Sequence, residues 1–128
     1  MADRLGADYI YQNLSNDATV TGLVSTSIWN GNRIPETETS FDTIKYYRAE
    51  PYDATLGYMA QTWSIDCRSQ NEETSKDIAL AVIGALNRIQ YSYGGYMYFG
   101  TCSMLPAIPP ADAQDCYNTP VTFRLRRR

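Results

Sequence analysis

The sequence predicts an α+β fold in one domain, a mainly antiparallel β-sheet with an N-terminal helix and one long central helix packed on it. Two patterns carry this. From Tyr58 to Ser69 the chain alternates, with Met59, Trp63, Ile65 and Cys67 on one side and Tyr58, Thr62, Ser64, Asp66 and Arg68 on the other, the period of a half-buried strand. Directly after it, Ile78, Val82, Ala85, Leu86 and Ile89 fall on one helical stripe, behind an N-cap at Asn71 and acids at Glu72 and Glu73 that suit a helix N-terminus. Strands follow one another without a βαβα rhythm, which favours antiparallel pairing.

The other elements follow in chain order. Leu5, Tyr9, Ile10 and Leu14 have near-helical spacing and predict a first helix over Ala2 to Leu14, although Gly6 inside it costs about 1 kcal/mol relative to alanine. Ser15, Asn16 and Asp17 offer a break and a fresh cap, after which Val20, Leu23 and Val24 form a helical turn or two. Asn30-Gly31-Asn32 is turn-prone and sets off a short strand at Ile28. Pro35 to Asp42 is polar apart from Phe41 and reads as a projecting arm. Thr43 to Glu50 is a strand closed by Pro51, and Tyr52 to Gly57 a loop. Gly94-Gly95 lies between two tyrosine-rich runs as a tight turn joining strands, Met97 to Leu105 is a strand, Pro106 to Ala113 a proline-rich loop, and Val121, Phe123 and Leu125 mark a last strand. The elements read α, short α, three strands, α, two strands.

Composition narrows function. A chain of 128 residues with 44% hydrophobic residues can bury one core, and a net charge of -3 gives no general attraction to phosphate backbones. No export signal and no membrane-length apolar run is expected, the longest run, Ile78 to Leu86, being broken by Gly84. The protein is expected to be soluble. Histidine is absent, which removes the commonest metal ligand and neutral-pH base. Cys67, Cys102 and Cys116 are widely spaced and odd in number, and read as buried free thiols with no catalytic or metal role. Asp66 with Glu50 or Asp53 is a conceivable catalytic pair, but a polar surface pair with Arg68 on its own strand face accounts for it. Tyr91, Tyr93, Tyr96 and Tyr98 could stack on bases, yet no Lys or Arg lies between Gln90 and Leu105, so packing or a protein interface is the stronger reading. No catalytic residue, cofactor or metal is expected.

The block Trp63-Ser-Ile65-Asp66-Cys67-Arg68, running into Asn71 and the helix to Asn87, resembles the strand-then-helix block of bacteriophage tail completion and tail terminator proteins. Leu23-Val24, Ile28 and Arg33-Ile34-Pro35 resemble that family's opening, and Tyr117 to Leu125 its closing strand. The tyrosine-rich run from Tyr91 to Phe99 departs from the shorter segment expected there. The resemblance implies a non-enzymatic virion protein. It would form a hexameric ring at the head-proximal end of the tail, with the major tail tube protein and neck or connector proteins as partners. DNA would pass through without specific binding, and assembly would take place in the bacterial host cytoplasm. A head-tail connector subunit is the near alternative. A small cytoplasmic enzyme or ligand-binding module using Asp66, a Tyr and Arg68 is the alternative from another class.

A closed ring needs two different patches that meet on neighbouring copies. Leu80 and Ile83 lie across the helix from its apolar stripe, either as a second buried side or as a face for a neighbouring subunit. The arm from Glu36 to Phe41 and the loop holding Pro109 and Pro110 are further candidates. Arg124, Arg126, Arg127 and Arg128 form a basic end that is either solvated or docks on an acidic patch of the next subunit or a neck protein; contact with DNA ranks last.

Overall fold

The computed structural model of the chain describes residues 2–31, 34, 41–49, 60–87, 90–93, 95–110 and 115–127. The elements are α1 (Ala2–Ser15), α2 (Ala18–Val24), β1 (Ile28–Asn30), β2 (Thr43–Arg48), β3 (Ala60–Ser69), α3 (Glu72–Leu86), β4 (Gln90–Tyr93), β5 (Tyr96–Met104) and β6 (Tyr117–Arg127). The α+β class holds, with one strand more than the element order read from sequence. Gly95, at φ 82°, makes the tight turn that lets Tyr93 pair with Tyr96, so the residues before the turn become β4, the first arm of a hairpin. The arm 35–40, the loop from Tyr52 to Gly57, Ile89 and Arg128 lie outside the described residues, as do the side chains of Leu5, Tyr91, Tyr93, Tyr96 and Arg127.

The strands form one sheet in the order β1-β2-β3-β6-β5-β4. All pairings are antiparallel except the parallel pair β1–β2, which the sequence pattern did not indicate. The strand closest to the C-terminus is thus central. β6 runs against the whole of β3, Trp63 opposite Phe123 and Ile65 opposite Val121, and against β5 on its other side. A proline in a central strand normally removes a ladder bond. Pro120 avoids this because its backbone faces the end of β5, where its carbonyl accepts from Leu105 N at 2.9 Å just beyond the last β5–β6 pair, Met104 with Val121.

The predicted alternation sorts the two faces of the sheet. Trp63, Ile65, Cys67, Val121, Phe123 and Leu125 are buried beneath the helices, where Tyr9 stacks on Phe123 with ring centroids 5.3 Å apart. Tyr9, Ile10 and Leu14 of α1 and Ile78, Val82, Ala85 and Leu86 of α3 complete the core, each large apolar side chain contributing roughly 1.5–3 kcal/mol. Gly6 is required by this packing: an added Cβ would stand 2.5 Å from Trp63 Cε2. Gln61 is buried on the same face, its amide oxygen accepting from Trp63 Nε1 at 3.0 Å.

The caps are those the sequence suggests. Asp17 Oδ1 accepts from Val20 N at 3.0 Å to start α2, and Asn71 Oδ1 accepts from Thr74 N at 3.1 Å to start α3. Two side-chain bonds then fix α3 on the sheet. Ser75 and Thr119 share a hydroxyl bond of 2.9 Å at one end, and Asn87 Oδ1 accepts from Cys102 N at 3.0 Å at the other.

Candidate subunit interface

The polar face of the sheet holds the groups that an enzyme or ligand module would have to use. Asp66 is 5% exposed, so it is not half of a surface pair with Arg68. The β2–β3 register places Lys45 opposite it, with Nζ 3.8 Å from Asp66 Oδ2. Tyr47 donates to the same oxygen at 3.3 Å, and Ser64 donates to Oδ1 at 3.4 Å. Burial, reinforced by the carboxylate, raises the Tyr47 pKa and keeps its proton in place. Lys45, Asp66 and Arg68 line a cleft of about 210 Å³ with Ile108, Pro109, Cys116 and Asn118. In this arrangement cation and anion satisfy each other, and the pair pins the register of two strands.

The thiols are equally quiet. Burial pushes Cys102 up to about 12 and Cys67 well above its ordinary value, so both stay protonated and weakly nucleophilic. Cys67, Cys102 and Cys116 are thiols and form no disulfide. Among the described residues no group of His, Cys, Asp and Glu could hold a metal ion, and no helix is long and apolar enough to cross a membrane.

The outer side of the helix layer is different. α2 and α3 enclose an open groove of about 790 Å³ lined by Asp17, Thr19, Gly22, Leu23, Asp77, Leu80 and Gly84, together with Ala18 and Ala81. Leu80 is 56% exposed there. Ile83 is not its equal: it is partly buried and packs against the core, so the two residues paired in the sequence do different things. Nothing lies within 4 Å of a Cβ added at Gly22 or Gly84. Neither glycine is there to make room within its own chain.

The remaining candidates lie elsewhere. Phe41 is 44% exposed, and its carbonyl accepts from the Cys116 thiol at 4.0 Å, beside the cleft that Pro109 lines. Pro109 is exposed, Pro110 half-buried and Glu36 outside the described residues. Arg124 and Arg126 are exposed and alternate with buried Phe123 and Leu125, which puts them on the sheet face opposite the helices. Sequence reasoning missed the groove itself. Asp17 was legible only as a cap and Gly84 only as an interruption, and the signal available was a pair of helical glycines with no turn or cap to explain them.

Comparison with known proteins shows the fold. No protein-family model matches the chain, and no curated protein matches it significantly. Among solved structures it is similar to a chain of the "Virion of native gene transfer agent (GTA) particle", with a TM-score of 0.67 and 20% identity over 92% of this chain and 90% of that one. Both chains are covered almost end to end.

Proposed function

We propose that the protein is a non-enzymatic virion subunit of a phage-like particle, working in a ring that ends the tail tube and joins it to the neck. The observation that carries this is the near-complete likeness in fold to a chain of a gene transfer agent virion, in both directions of coverage. The exposed Leu80 in its open groove and the exposed arginines on the other sheet face supply the two unlike patches that a ring requires. Its partners are further copies of itself, the tail tube protein and the neck or connector proteins, and DNA passes through its lumen. A connector ring is the near relative of this role.

Light scattering behind size exclusion, with negative-stain images of the peak, tests it. Rings of about six copies are expected. A protein that stays monomeric at high concentration and in the presence of tail tubes would refute the ring. Leu80→Glu is the clean interface variant, because charge at Ile83 would also disturb the core against which that residue packs.

A further inference from the structure

We propose that the groove between α2 and α3 receives the open face of β6 from a second copy of this chain, with Arg124 and Arg126 of one subunit seated against Asp77 and Asp17 of the next. This rests on the ring reading and names its contact. Both ionisable residues that line the groove are acidic, and they flank the exposed Leu80. Among the described residues, the exposed side chains at the end of β6, Arg124 and Arg126, are both basic. Among the described residues none of Asp77, Arg124 and Arg126 has an ion-pair partner in its own chain, whereas Lys76, next to Asp77 in the chain, is engaged by Glu72 and Glu73, at 3.3 and 3.7 Å. Among the described residues, charges of opposite sign thus stand without ion-pair partners on two surfaces that one chain cannot bring together.

The placement of the surfaces sets the kind of assembly. The groove belongs to the helix layer, and the arginines lie on the opposite face of the sheet. A groove meeting a β6 face is a contact between unlike patches, so each added subunit exposes a fresh groove at one end and a fresh basic face at the other. Such a contact closes only as a ring. Arginine suits it because its guanidinium forms two-point hydrogen bonds to carboxylates while its methylene stem packs along apolar surface such as Leu80.

Charge exchange tests the contact. Asp77→Arg and Arg124→Asp should each leave the monomer's melting curve intact and raise the concentration needed for assembly about tenfold or more. Mixing the two variants should restore rings, because every groove then meets a face of opposite charge, and so should the doubly exchanged chain on its own. Wild-type rings should also loosen as salt is raised. If both single variants form rings like the wild type, the groove is not the contact and the ring reading stands without it. If the singles fail and neither the mixture nor the double variant recovers, charge pairing between these residues is wrong. A wild-type chain that never assembles overturns both readings at once.

Discussion

Three helical glycines make a direct test of how the packing is understood. By helix propensity alone, alanine at Gly6, Gly22 or Gly84 should stabilise the fold by up to about 1 kcal/mol each. At Gly6 the added Cβ would stand 2.5 Å from Trp63 Cε2, in a ring whose Nε1 is already committed to Gln61, both side chains being 2% exposed. Overpacking of a closed core costs typically 1–3 kcal/mol, and an approach this close to a buried ring takes the upper part of that range, so Gly6→Ala should lose a net ~1–2 kcal/mol. With ~2.1 cal/mol/K per residue of unfolding entropy, that lowers Tm by roughly 4–8 °C. At Gly22 and Gly84 the space is open, and alanine there should raise Tm by up to about 4 °C at concentrations where the protein is monomeric. Thermal unfolding of the three single variants by circular dichroism reads this directly. A Gly6→Ala protein as stable as the wild type, or a destabilised Gly22→Ala or Gly84→Ala, would refute the packing argument. The same two stabilised variants should assemble less well, because their methyl groups occupy the groove.

Further outcomes follow from the buried titratable groups and the buried ion pair. Burial holds Tyr46 and Cys102 each up at about 12, above the 10.0 and 9.0 of an unburied phenol and thiol. The unfolded chain therefore loses those protons first; stability is full below about pH 9 and declines as pH rises toward 12, so urea midpoints should fall across that window and fall less in Tyr46→Phe. Thiol reagents at neutral pH should modify Cys67 slowly in the native protein and promptly in denaturant; fast native labelling would contradict its burial. Lys45→Met leaves the Asp66 carboxylate buried with only hydroxyl partners and should cost about 1–3 kcal/mol in denaturant titrations, with Asp66→Asn in the same chain recovering part of it.

Much of the fold was legible because local chemistry and tertiary packing agree at the elements that matter. Asn71, Glu72 and the Ile78 stripe specify α3 from its own residues, and β3 shows its buried side in Trp63, Ile65 and Cys67. What sequence reasoning lost depends on partners remote in the chain. Gln61 sits among apolar neighbours where Trp63 offers it a donor, and Asp66 is inside where β2 brings Lys45 and Tyr47 to it. The parallel pairing of β1 is set by where α1 and α2 hold the start of the chain against the sheet, which no period within Ile28–Asn30 can express. Leu80 was legible as an outward residue, and Ile83 was grouped with it. The groove was not, since it exists only where α2 lies beside α3.

The central position of β6 also orders events in time. As the chain is synthesised, β1 to β3 and β4 with β5 can form only two separate ladders, each with an open inner edge, until residues 117–127 arrive to join them. The same segment carries Arg124 and Arg126. A subunit therefore cannot present Arg124 and Arg126 on a sheet face before its sheet is closed. Strand order alone thus withholds that face from any chain whose sheet is unfinished.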